Sequence, residues 1–277
     1  MTMKKIYFSM LLMAGLALTA CSSDDSNTVP ARRTYTMTID ATKGANEASV
    51  RGDTRALTLD GSTLTASWAT SEHVFVQGKL KSDESLFWFE GSIQPQYAGT
   101  TTKLNGTISL PSGWTISIDE AIGKPHKLTL QFPRSGALDY TGQIGTLADI
   151  AAKYDYAIAE DVEVEVKEGQ VRGVASATFV NQQAIVRFTL LDKADGTTLL
   201  NPTALTIQYG GESLSLTIPA DTYTTNGAGV IYVAIPGFSG KEVTLTAKVG
   251  DDTYTFTKSG ITFENGEYYE INVKMKE

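Results

Sequence analysis

The chain has 277 residues, with 23 lysines and arginines against 31 acidic residues, a formal net charge of −8 and a pI near 4.9. Its cations are scattered singly rather than gathered in a stripe, which excludes the electrostatic footprint of a nucleic-acid binder. A single cysteine, Cys21, excludes a disulfide framework, and two well-separated histidines, His73 and His126, are poor material for a zinc site or a histidine-based hydrolase.

At the N-terminus, Lys4 and Lys5 precede an apolar run over residues 6–17, the layout of an export signal. The run is shorter than the roughly 20 apolar residues a membrane-spanning helix needs. It ends in Leu18-Thr19-Ala20-Cys21, small residues ahead of a cysteine. That ending resembles a bacterial lipobox. The resemblance implies that residues 1–20 are removed, that Cys21 is acylated, and that residues 21–55 begin a lipid-anchored segment at the outer membrane. The Ser22-Ser23-Asp24-Asp25 that follows resembles the acidic signals that carry some lipoproteins to the outer surface, and residues 22–28 read as a polar tether.

Next comes Thr34-Tyr35-Thr36-Met37-Thr38-Ile39-Asp40, in which Tyr35, Met37 and Ile39 share one face of a strand. Residues 43–54 are polar, include glycine and alanine, and hold Arg51, with Arg55 just beyond; they predict an exposed, cleavable linker. Beyond it, abundant Thr, Val, Tyr and Ile in short alternating runs predict an all-β protein. Strands are expected at 57–59, 64–68, 73–77, 86–91, 104–110, 127–132, 184–190, 230–235, 243–249 and 253–258. Val162, Val164 and Val166 alternate with charges up to a turn at Glu168-Gly169-Gln170. Two further runs, 205–209 and 212–218, flank Gly210-Gly211, which can take the positive φ of a tight hairpin. One short helix is expected after Thr146, with Leu147, Ile150, Ala151 and Tyr154 on one face. The chain closes with Tyr269, Ile271, Val273 and Met275 alternating with polar residues.

The two terminal strands thus share one aromatic-led pattern. A terminal strand can complete a sheet, be removed, and be replaced by an equivalent strand from another molecule through main-chain pairing. Alternating end strands are also ordinary in β-sandwiches, and the pattern alone favours that plainer reading.

Several stretches resemble the fimbrillin family of lipoproteins, the subunits of type V pili. They are the lipobox, Thr54-Arg55-Ala56-Leu57-Thr58-Leu59-Asp60-Gly61 followed by Leu64, Ala66 and Trp68, the run 147–157, the run 184–190, and Gly266-Glu267-Tyr268-Tyr269-Glu270-Ile271-Asn272-Val273. The resemblance implies two tandem transthyretin-like antiparallel β-sandwich domains with one short helix, here divided as 56–168 and 169–277. It implies trimming between Arg55 and Ala56, with Arg51 as a second candidate, and loss of the strand bearing Tyr35, Met37 and Ile39. A neighbour's C-terminal strand, equivalent to the one bearing Tyr269, Ile271, Val273 and Met275, would then fill the groove. The expected function is a non-enzymatic structural subunit of a surface pilus with a role in adhesion. Its expected partners are other pilus subunits, the outer membrane through its lipid, and a host or bacterial surface ligand. No cofactor, metal or catalytic residue is expected. The alternative is a monomeric, anchored glycan-binding adhesin.

Other features carry less. Trp68, Trp88 and Trp114, with Phe87 and Phe89, are candidates for a sugar-stacking platform, but aromatics in sandwich strands more often fill the core. Arg51-Gly52-Asp53 spells an adhesion tripeptide upstream of the expected cut. Acidic pairs are too numerous in this composition to single out a glycosidase pair.

Overall fold

The computed structural model describes residues 33–43, 56–60, 63–134 and 137–277. Cys21, Arg51, Arg55 and the Arg51-Gly52-Asp53 tripeptide lie outside the described residues.

The chain begins with β1 (Thr34–Lys43) and a hairpin of β2 (Ala56–Asp60) and β3 (Thr63–Ser67). There follow β4 (Phe75–Lys79), β5 (Leu86–Trp88), β6 (Glu90–Pro95), β7 (Thr101–Ser109), α1 (Ile118–Ile122) and β8 (His126–Phe132). Then come α2 (Leu147–Lys153), β9 (Ala157–Lys167), β10 (Gln170–Gly173) and β11 (Ala177–Asn181). All of these strands but the β2–β3 hairpin join one sheet in the order β5-β4-β8-β9-β10-β1-β7-β6, with β11 beside β1 and β9. Reciprocal backbone bonds between Val74, just before β4, and Ile93 in β6 join its two flanks. The rolled sheet encloses a core that includes Trp68, Phe89, Phe132 and Phe179, with Trp68 edge-on to Phe132 and Phe179.

The rest of the chain supplies β12 (Ala184–Asp192), β13 (Ala204–Tyr209), β14 (Glu212–Thr217), α3 (Thr222–Asn226), β15 (Val230–Ile235), β16 (Phe238–Val249), β17 (Asp252–Phe263) and β18 (Tyr268–Met275). These strands make two sheets, β15-β12-β18 and β14-β13-β16-β17, whose apolar faces share a second buried cluster. The hairpin between β13 and β14 turns at Gly210 and Gly211, with φ of 56° and 94°, as its sequence predicts. The turn between β9 and β10 has the same logic, with Glu168 and Gly169 both at positive φ.

The all-β class and most strand positions agree with the sequence, but the single strand expected at 86–91 is divided between β5 and β6, which lie at opposite ends of the sheet order, and there are four further differences. The sheets are mixed rather than antiparallel throughout: β1 runs parallel to β10 and β11, and β18 runs parallel to β12. Strands far apart in sequence face no hairpin constraint, so long crossovers permit parallel entry. The first sheet continues through β10 and β11 to Asn181, past residue 168 where the sequence reading divides the chain. The helix α2 is capped by Thr146 as expected, but Ile150, Ala151 and Tyr154 pack into the second cluster, as do Leu57 and Ala66 of the hairpin. Two five-residue helices, α1 and α3, accompany it. The first was legible: Ser117 and Glu120 form a reciprocal capping box at its start.

Candidate functional site

The expected N-terminal strand is not a sheet edge. Along nine residues, from Thr34 opposite Ser109 to Thr42 opposite Thr101, β1 pairs antiparallel with β7. On its other side it pairs with β10 at residues 36–38 and with β11 at residues 41–43. Both ladders of its backbone are therefore used, and its alternation points Tyr35, Met37, Ile39 and Ala41 into the first core, each at most 5% exposed. The fit is tight beside it. A Cβ on Gly173 would collide with Ile39 Cγ1, so β10 can approach β1 only without a side chain there.

The same alternation carries one residue further than the sequence reading allowed. Lys43, expected to open an exposed linker, is the last residue of β1 and is 1% exposed. Its Nζ lies 2.6 Å from Asp155 Oδ2 and 3.3 Å from Glu72 Oε1, with both carboxylates nearly inaccessible. It also sits 4.3 Å from the centroid of Phe132 and 5.0 Å from that of Trp68, within range of both ring faces. Glu72 accepts in addition from the backbone N–H of Ala69, which holds its carboxylate in place. Removing two carboxylates and an ammonium from water is costly, and the arrangement persists because each charge has an opposite neighbour in a low-dielectric site. The signal that finds Lys43 is its position in the i, i+2 series begun by Tyr35; its charge is what concealed it.

The C-terminal strand is placed differently. β18 pairs with β12 alone along eight residues, and so lies at the edge of its sheet. Val273 and Met275 are fully buried in the second cluster, whereas Tyr269 and Ile271 are only partly covered. The two strands matched in sequence thus lie in different sheets, one central and one at an edge, and the structure does not bring them together. Of the expected cleavage pair, Ala56 is the first residue of β2 and Arg55 lies outside the described residues.

The tryptophans do not assemble a platform. Trp68 is in the core, Trp114 packs on Phe87, and Trp88 is half-buried with the Arg134 guanidinium 5.2 Å from its ring. His73 is exposed beside Ser92 and Gln94. His126 is buried and its Nε2 donates to Asp119 Oδ1 at 2.7 Å. That hydrogen bond, with Lys124 nearby, holds the Asp119 carboxyl below its usual value. A carboxyl depressed in the folded state stabilises above the unfolded value of 3.8, and its contribution is lost as pH falls through the folded value. Asp119→Asn is therefore expected to be less stable than the parent at pH 7, by under about 1 kcal/mol because the group is well solvated. The difference should close at pH values well below 3.8. Urea titrations across that range check it, and a difference that persists unchanged at low pH would assign the effect to something other than the ionised carboxylate.

No protein-family profile matches the chain, and no curated protein matches it. Among solved structures, a fimbrial protein from Bacteroides ovatus is similar with a TM-score of 0.40 and 10% identity, over 89% of this chain and 50% of that one. This chain therefore spans about half the length of that protein. A fimbrial assembly protein from Parabacteroides distasonis has a TM-score of 0.39 and 13% identity, over 86% of this chain and 90% of that one. A tip fimbrial protein from Porphyromonas gingivalis with C-terminal truncation has a TM-score of 0.34 and 9% identity, over 87% of this chain and 95% of that one.

Proposed function

We propose that this chain is a structural subunit of a bacterial surface pilus with a role in adhesion. It is exported as a lipoprotein on Cys21, trimmed between Arg55 and Ala56, and joined to a neighbouring subunit by replacement of β1. The observation that carries the reading is the position of β1. It is a central strand of its sheet, yet its only covalent link to the rest of the fold runs through residues 44–55, which include Arg51 and Arg55. One cut there leaves β1 held by hydrogen bonds and packing alone. Its departure would open two rows of backbone donors and acceptors and an apolar cleft where Tyr35, Met37, Ile39 and Ala41 had been. Such a cleft cannot stay empty in water, so a second extended strand is the natural occupant. The lipobox and the resemblance of its motifs to fimbrillins supply the compartment and the biological setting.

The chain as sheared from the surface of its native cells should begin at Ala56 and carry no lipid, by intact mass and N-terminal sequencing. A chain that still begins at acylated Cys21 would mean that β1 stays in place, and would overturn replacement in favour of an anchored, non-polymerised surface protein. An Arg55→Gln, Arg51→Gln variant should remain at the membrane as the longer form and be absent from filaments.

A further inference from the structure

We infer that the site vacated by β1 selects an incoming strand with a cationic side chain at the position of Lys43, and thereby rejects the chain's own C-terminal strand. This rests on the reading of β1 as a replaceable strand and adds the chemistry of the strand that replaces it.

The inward face of β1 reads aromatic, Met, Ile, Ala, Lys at residues 35, 37, 39, 41 and 43. The last two positions are the discriminating ones. At 41 the side chain is a fully buried methyl opposite Thr102 and Ala177. At 43 it is an ammonium between Glu72 and Asp155, against the faces of Trp68 and Phe132. Three independent elements supply this cation site: the turn before β4, the segment after α2, and the core aromatics of the first sheet. It remains with the trimmed chain when β1 leaves, because Glu72, Asp155, Trp68 and Phe132 all lie beyond the proposed cut.

Aligning β18 on β1 by its aromatic leader puts Tyr269 at position 35, Ile271 at 37 and Val273 at 39, an acceptable apolar series. It then puts Met275 at the position of Ala41 and Glu277 at the position of Lys43. The first substitution overfills a methyl-sized space, and the second brings a carboxylate to two buried carboxylates. The cations of β18, Lys274 and Lys276, alternate to the opposite face. A one-residue slip that turned them inward would turn Tyr269, Ile271, Val273 and Met275 outward. The like-charge contact cannot be relieved by solvent, since both resident carboxylates are buried. The neighbour that fills this groove is therefore a different polypeptide, with an extended segment that reads aromatic, two apolar residues, a small residue and then Lys or Arg at alternate positions.

The test uses the full-length chain nicked after Arg55 by an arginine-specific protease. It is offered fluorescent peptides amidated at their C-termini: residues 33–43, the same with Lys43→Arg or Lys43→Glu, residues 267–277, and the latter with Glu277→Lys. Residues 33–43 and their Lys43→Arg form should exchange into the protein. The Lys43→Glu peptide and residues 267–277 should bind about a hundredfold more weakly, and Glu277→Lys should recover at least about tenfold. Equal entry of the parental peptide and its Lys43→Glu form, or no gain from Glu277→Lys, would overturn the selection while leaving strand replacement intact. Failure of residues 33–43 to enter would overturn strand replacement and the selection with it. In the uncut chain, Lys43→Arg should retain the parental urea midpoint and Lys43→Glu should lower it; equal midpoints for these two variants would overturn the charge rule without any exchange step.

Discussion

Lys43→Met should lower the free energy of unfolding by about 3–5 kcal/mol, the range for removing one member of a buried charge set. The methionine keeps much of the aliphatic stem, so the loss measures the ammonium rather than packing volume. Without the cation, Asp155 loses the 2.6 Å contact and Glu72 the 3.3 Å contact to Nζ that had offset the desolvation of these two carboxylates. Adding Glu72→Gln and Asp155→Asn should restore most of the loss, because a neutral polar set needs no counter-charge. Salt should change neither result much, since the charges are excluded from the solvent that would screen them. Urea unfolding followed by tryptophan emission is the appropriate reading, with the indole of Trp68 5.0 Å from the ammonium. A Lys43→Met protein within about 1 kcal/mol of the parent would show that the cluster contributes specificity without stability.

Deleting residues 269–277 should unfold the second sandwich and spare the first. The deletion removes nearly the whole of β18, which supplies a full ladder to β12 and the buried side chains of Val273 and Met275. Burial of Val and Met side chains contributes about 1.5–3 kcal/mol each, before the unpaired edge of β12 is counted. The loss is comparable with the whole stability of an ordinary domain. The readouts separate cleanly because Trp68, Trp88 and Trp114 all lie in the first half of the chain. Tryptophan emission should stay at its native wavelength, while tyrosine near-ultraviolet dichroism and much of the strand signal are lost. A deletion that kept both signals would mean that β18 is a dispensable strand, free to act as a donor from its own fold.

Much of this architecture was legible because alternation and turn chemistry are local. The hairpin at Gly210-Gly211 follows from two residues that accept positive φ, and the strand beginning at Thr34 follows from Tyr35, Met37 and Ile39 at spacing two. The cap at Thr146 likewise announces α2 before any packing is known. Less was legible where a short segment takes its conformation from its neighbours. The strand β11 has only five residues and gains its place by pairing with β1 and β9 together.

By itself the sequence determined the all-β class, the inward faces of the two end strands and the export-signal pattern at the N-terminus, because periodicity and composition state these directly. The tertiary structure alone decided that β1 is central while β18 is an edge, that both run parallel to a mid-chain strand, and that Lys43 is interior. Each of these depends on contacts between residues far apart in the chain. The partners of Lys43 are 29 residues away at Glu72 and further still at Asp155, and no local pattern marks a lysine as the cation that two distant carboxylates require.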